Sequence, residues 1–181
     1  MQQTIRNALP SDKKIILDFC KSTFSWGDYI HHVWDDWLDE GNFFVLTENR
    51  RPVAICHAFI IKNEKLVWIE GIRVDPNYRQ KGYAKKLVTK AEAIAKKNDC
   101  TLSSMLIESK NFKSLKLAAK LHYTRNEKWD YYFLVPRKIH SATIRAKSAK
   151  EIARYLADSK FYIKSWRWLP LDAKTISSLI K

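Results

Sequence analysis

Apolar residues fall along this chain in two rhythms, and the elements can be placed where one gives way to the other. From Val67 to Val74 large apolar side chains run nearly unbroken, as in a strand buried on both faces, and Asp75-Pro76-Asn77 closes the run with turn residues. Beyond it Ala84, Leu87, Val88, Ala91, Ile94 and Ala95 recur at helical spacing with lysines opposite. Residues 65–97 therefore predict a strand, a tight turn, a basic loop holding one glycine, and a long amphipathic helix.

The same reading extends both ways. Residues 4–8 predict a first strand, and Ser11 caps a helix to about residue 22 with Ile15, Ile16, Phe19 and Cys20 inward. Trp26-Gly27-Asp28 breaks that helix, and Ile30, Val33, Trp34, Trp37 and Leu38 mark a second amphipathic one. Strands at 42–47 and 52–62 are joined at Glu48-Asn49-Arg50-Arg51. Downstream come a strand at 102–107, a helix from its cap Asn111 to about residue 121, and last strands within 123–134, strongest at 130–135. Residues 139–181 add a short helix at 149–156, a strand at 161–169 and a closing helix at 173–180. The apolar side chains of Ile152, Tyr155, Leu156, Phe161, Ile163, Trp166 and Trp168 predict that this C-terminal αβ extension packs on a main domain of residues 1–138.

The central strand carries one carboxylate, Glu70. A charge inside an apolar strand is costly unless it is paired or used. Glu70 is therefore a candidate general base or binder of an incoming ammonium, with a buried pair to Arg73 or a lysine as the structural alternative. Spacing by two puts Glu70, Ile72 and Val74 on one face of a regular strand. Gly71 between them signals a bulge or a close backbone approach.

The loop before the long helix has the spacing Arg79-x-x-Gly82-x-Ala84. A helix start offers unpaired N–H groups and the positive end of the dipole, so it suits a phosphate. Gly82 lets backbone approach an anion closely, and Arg79, Lys81 and Lys85 add charge. The spacing is neither the dinucleotide fingerprint nor a P-loop.

At this point the residues resemble a known family. Val74-Asp75-Pro76, Arg79-Gln80-Lys81-Gly82-Tyr83-Ala84 and the helix behind them are similar to the acetyl-CoA-binding motif of the GNAT N-acetyltransferases, and the element order over residues 4–135 resembles theirs. The resemblance implies a mixed α/β (α+β) fold, a mostly antiparallel sheet flanked by helices. It implies transfer of acetyl from acetyl-CoA to an amine by direct attack in a ternary complex. It implies that Ile72, Arg73, Val74, Arg79, Gln80, Lys81, Gly82, Tyr83, Ala84, Lys85 and Asn111 hold acetyl-CoA, Ile72 and Val74 through their backbone. A weaker match starts at Asn111, where Ser114, Ala118 and His122 depart from the family pattern. Because Ala118 holds the position of a frequent catalytic tyrosine, proton donation to the leaving thiolate falls to Ser114, Tyr123 or a water.

Acceptor recognition in this family comes partly from the segment represented here by residues 24–37, rich in aromatics and acids. Asp28 and Tyr29 are placed to hold a cationic acceptor, with Trp26 or Trp34 as a shield. The structural alternative makes Trp34 and Trp37 core and Asp28 a helix cap. The stretch resembles members grouped with histidine N-acetyltransferases. A small-molecule or amino-acid amine is the expected acceptor. A protein N-terminus or lysine is the second enzymatic reading, and a non-catalytic acyl-CoA-binding or nucleic-acid-binding module the third.

Composition narrows these readings. At 181 residues, with seven Trp, eight Tyr and eight Phe, the chain supplies a core for one domain and a small appendage. Its net charge of +14 is met in part by a polyanionic co-substrate, and the remaining lysines read as a solvated surface rather than a nucleic-acid groove. Trp166-Arg167-Trp168 reads first as aromatics packed on a core and second as a stacking platform for bases. No apolar run reaches transmembrane length and the start lacks a secretory apolar region, so no membrane is expected. Three widely spaced cysteines, Cys20, Cys56 and Cys100, predict reduced thiols and a cytoplasmic protein. No metal-ligand spacing appears, and the adjacent His31 and His32 should diverge by about 100° on a helix. A homodimer is an expected assembly, since family members often dimerise.

Overall fold

A computed structural model describes residues 2–25 and 27–130 and, further on, residues 150, 154, 161–164, 167–172 and 175–176. The elements run β1 (Gln3–Asn7), α1 (Lys13–Cys20), α2 (Ile30–Glu40), β2 (Phe43–Glu48), β3 (Arg51–Ile61), β4 (Leu66–Val74), α3 (Tyr83–Lys97), β5 (Leu102–Ser104), α4 (Phe112–Lys120), β6 (Phe161–Lys164) and β7 (Arg167–Pro170). The first five strands form one sheet in chain order, antiparallel except for the parallel β4–β5 pair.

Alternation along the strands divides the core into two layers. Phe43, Val45 and Ile55 point to one face, where they meet Ile16 and Cys20 of α1 and Ile30, Val33, Trp34 and Trp37 of α2. Phe44, Leu46, Ala54, Cys56 and Ile69 point to the other, where Tyr83, Leu87, Val88, Ala91 and Ala95 of α3 cover them. Both helices bury the stripe that the sequence pattern marks.

Three elements differ from the sequence reading. α1 does not start from a Ser11 cap. Pro10–Asp12 forms a 3-10 turn, and the Asp12 carboxylate accepts from the Leu9 N–H at 2.8 Å while holding Arg6 bidentately at 2.6 and 2.8 Å. The strand expected at 102–107 stops at Ser104, and residues 123–130 carry no regular element. The single strand expected at 161–169 is a hairpin. β6 and β7 pair antiparallel, from Phe161 with Pro170 to Lys164 with Arg167. The expected last strand at 131–135, the helix at 149–156 and the closing helix fall largely outside the described residues.

The chain divides into two compact units, Met1–Tyr123 and Thr124–Lys181. In the second unit the rings of Trp129 and Trp168 lie 4.7 Å apart. None of the helices among the described residues is long and apolar enough to cross a membrane.

Candidate active site

The site is built on an irregularity in β4. Ile55 pairs with Arg73, but two residues along β3 His57 pairs with Glu70, three residues back on β4. The extra residue makes a β-bulge at Gly71, whose φ of 62° is in the left-handed region. A Cβ on Gly71 would stand 2.3 Å from Cη2 of Trp37, so both signals read from this glycine, the bulge and the close approach, are present.

The bulge re-aims the strand. Spacing by two would put Glu70, Ile72 and Val74 on one face, but the inserted residue breaks the alternation. Ile72 and Val74 pack with the α3 layer, whereas Glu70 and Arg73 turn to the α1–α2 layer. The β4–β5 ladder spans only Leu66–Trp68, paired with Leu102–Ser104. From residue 69 to 74 that edge of β4 has no hydrogen-bonded strand among the described residues, and the Ile72 and Val74 carbonyls accept there from the side chains of Arg73 and Arg79 at 3.1 and 3.3 Å.

On the α2 side Glu70, 7% exposed, lies 2.9 Å from Nδ1 of His57 through Oε1. The His57 ring is wholly buried, stacked on Trp37 with centroids 4.8 Å apart and planes within 7°. Its Nε2 is 3.0 Å from the Gly41 carbonyl oxygen and 3.5 Å from Oε2 of Glu40. Sequence reading did not find His57. Its only signal is one imidazole in an apolar strand, and its partner becomes known once the cross-strand register is known.

Arg73 does not pair with Glu70. Its Nε and Nη2 donate to Asp28 at 2.6 and 3.1 Å, in a pair 12% and 4% exposed. Burial opposes the charge on Arg73, but the hydrogen bond to Asp28 together with the nearby charges of Asp28 and the Tyr29 and Cys20 side chains outweighs it, and the guanidinium pKa is raised. Phe24 and Tyr29 lie against the guanidinium at 5.1 and 5.2 Å. Asp28 also accepts from the Ile30 N–H at 3.2 Å, but the N-cap position of α2 is held by Tyr29, one residue later than the expected cap. Burial raises the Tyr29 phenol. Trp34 and Trp37 are core, as their structural alternative holds, and the Trp34 indole N–H has no hydrogen-bond partner. Trp26 lies outside the described residues.

The basic loop follows. Gly82 has φ 77° and open space where a Cβ would be. No side chain caps α3, and the Lys86 N–H makes the bond back to the Gly82 carbonyl, so the N–H groups of Tyr83, Ala84 and Lys85 precede the helical ladder. Arg79 donates to the Val74 carbonyl at 3.3 Å and Gln80 takes a left-handed φ of 64°. Lys81 pairs with the buried Glu48 at 3.0 Å, while Lys85 is exposed. The Tyr83 side chain points inward, where its hydroxyl accepts from Gln3.

On α4 the Asn111 side chain accepts from the Ser114 N–H at 3.1 Å, which caps the helix as read from sequence. Tyr123 packs on the α3 layer, donates to Glu92 at 2.8 Å and contacts the Ser103 hydroxyl. Burial raises its pKa strongly. The structure thus puts Tyr123 and Glu70 on opposite faces of the sheet. Burial pushes the Cys20 thiol up to about 12 and raises Cys56 as well, so neither is a ready nucleophile. No group of three or more metal-ligating side chains is placed to share an ion among the described residues. His31 and His32 do not diverge: the Asp28 carbonyl holds His31 Nδ1 at 2.8 Å and the ring centroids are 3.6 Å apart.

The sequence matches the model of the Acetyltransferase (GNAT) family over residues 13–123. No curated protein matches it. Among solved structures, AAC(6')-Iy, determined with the bisubstrate analogue CoA-S-monomethyl-acetylneamine, is 20% or less identical: 19%, with 75% of this chain and 100% of that one covered and a TM-score of 0.61. The aminoglycoside 6'-N-acetyltransferase AAC(6')-Ih from Acinetobacter baumannii is 20% identical over 75% of this chain and 100% of its own, with a TM-score of 0.61. The ribosomal-protein-S18-alanine N-acetyltransferase from Escherichia coli is 16% identical over 66% of this chain and 76% of its own, with a TM-score of 0.58. At such identities the likeness establishes the shared fold.

Proposed function

The chain belongs to the GNAT acetyltransferase family and is an acetyl-CoA-dependent N-acetyltransferase, and on that premise we propose that it acetylates a small-molecule amine whose ammonium meets Glu70. The observation that carries this reading is a nearly buried carboxylate at the bulge, beside the open edge of β4.

The residues present fit acetyl-CoA. The uncapped N–H groups of Tyr83, Ala84 and Lys85 and the open space at Gly82 suit a diphosphate, and the strand edge at Ile72 and Val74, outside the β4–β5 ladder, suits the amides of the pantetheine arm. Bound there, acetyl-CoA supplies an acetyl group activated as a thioester.

An ammonium has no lone pair with which to attack, so a proton must leave it first. Glu70 accepts that proton, directly or through one water. A main-chain N–H near Val74 donates to the thioester oxygen as charge develops on it. Ser114, in the first turn of α4, protonates the departing thiolate. Tyr123 is the weaker candidate, because its hydroxyl already serves Glu92 and Ser103. The Asp28–Arg73 pair walls the acceptor side rather than holding the acceptor, since Arg73 already neutralises the carboxylate.

One of the similar proteins is an aminoglycoside 6'-N-acetyltransferase and another was determined with the bisubstrate analogue CoA-S-monomethyl-acetylneamine, which favours a small-molecule acceptor. The likeness to a ribosomal-protein alanine acetyltransferase favours a protein N-terminus as the second reading. A panel of amines, amino acids and N-terminal peptides, scored by CoA release, separates the two. With the best acceptor, Glu70→Gln should lower kcat by about 10²–10⁴-fold. Undiminished kcat with a raised KM would reassign Glu70 to ammonium binding, and undiminished kcat and KM would remove it from the site.

A further inference from the structure

We propose that His57 is a positioning residue for Glu70, carrying a proton that fixes the carboxylate and registers it to α2. The proposal rests on the reading that Glu70 acts on the acceptor ammonium.

Every group facing the His57 ring nitrogens in the bonds above is an acceptor. Nδ1 faces the Glu70 carboxylate, and Nε2 faces the Gly41 carbonyl and, farther off, the Glu40 carboxylate. A neutral imidazole has one N–H and satisfies one of these directions, whereas a ring protonated at both nitrogens satisfies both. The buried carboxylate in turn gains the cation and the hydrogen bond it needs inside an apolar strand.

The ring cannot swing away from this task. Trp37 stacks on one face within 7° of parallel, and Phe43 meets it edge-on at 6.1 Å and 81°. Trp37 comes this close because Gly71 has no side chain: a Cβ there would stand 2.3 Å from the indole. Gly41, which ends α2 at φ 76°, supplies the carbonyl that holds the far nitrogen. The chain of contacts from α2 through Trp37 and His57 to Glu70 thus sets the plane in which the carboxylate is held. A side chain kept only for packing would have no need of acceptors at both nitrogens.

The other titratable groups around the pair are Glu40 on α2, Tyr29 at the start of α2 and Cys56 on β3, while Arg73 on β4 is paired with Asp28. With His57 removed, the carboxylate loses the hydrogen-bonded partner at Nδ1, a change that a pH profile reads.

The test compares the full chain with E70Q, H57Q and the double variant, using the best acceptor from the amine panel. H57Q should lower kcat about tenfold or more, leave KM for acetyl-CoA unchanged, and move the acid limb of kcat/KM to higher pH. In the E70Q background H57Q should change kcat by less than about twofold, since a residue acting through Glu70 has nothing left to position. An H57Q variant with ordinary kcat and an unmoved acid limb, beside an impaired E70Q, would overturn the positioning role while sparing Glu70. So would an equal loss in both backgrounds. Full turnover in E70Q would overturn the Glu70 reading, and this one with it. A second measurement does not depend on any His57 variant folding. Ring nitrogen-15 spectra of the protein should show one of its five histidines with a hydrogen-bonded Nδ1 whose signal moves in E70Q. Five rings unaffected by E70Q would overturn the proposal.

Discussion

The two faces of β4 solve the placement of polar groups in opposite ways. Toward α2, charged and polar side chains are matched to one another. Glu70 has His57, His57 has Gly41 and Glu40, and Arg73 has Asp28. At the start of α3 and along the free edge of β4, main-chain donors have no partner in the ladder or the cap. A buried side-chain charge left unmatched would destabilise the fold, whereas an exposed N–H can wait in water until a ligand takes it. On the proposed reading the first face is a preorganised chemical surface, and the second receives the phosphate and amide groups of acetyl-CoA.

Breaking the matched face should cost stability most. Asp28→Asn leaves Arg73 buried without its counter-charge, which typically costs about 3–5 kcal/mol. Urea denaturation checks this, and an unmoved midpoint would show that the wall does not depend on the pair. Changing the open face should cost binding instead. Gly82→Asp adds a negative charge beside the uncapped N–H groups, and its side chain at the left-handed φ of 77° costs about 1 kcal/mol of stability. Acetyl-CoA affinity of the folded variant by calorimetry should fall about tenfold to a hundredfold, equivalent to the loss of one or two charge-assisted hydrogen bonds. Unchanged affinity would move the diphosphate elsewhere. The smallest effect is expected away from both. Tyr123→Phe should cost about 1 kcal/mol of stability through its lost bonds to Glu92 and Ser103 and leave kcat within about twofold. A tenfold fall in kcat would instead make Tyr123 the thiolate's proton donor.

The same contrast explains what the sequence revealed. The Gly82 loop was legible because it is built from local backbone: a strand, a turn, one glycine and a helix start, all within residues 67–95. Glu70 was legible as an anomaly in an apolar run. Its partner was not, because His57 meets it across a ladder whose register is shifted by the bulge, and no spacing rule along one strand survives an inserted residue. Asp28 and Arg73 are 45 residues apart, and only the packing of the segment before α2 against β4 joins them. The sequence pattern gives one strand over 161–169 because no glycine, proline or asparagine stands between the paired Lys164 and Arg167 to mark a reversal.

Acetyl-CoA is expected on the open backbone donors rather than on the matched side chains. Titrating nitrogen-15-labelled protein with acetyl-CoA tests it most directly. The amide signals of residues 82–85 and of Ile72 and Val74 should shift together and saturate, while those of Glu92, Ser103 and Tyr123 stay in place. Saturable binding that leaves the amides of residues 82–85 unmoved would contradict it.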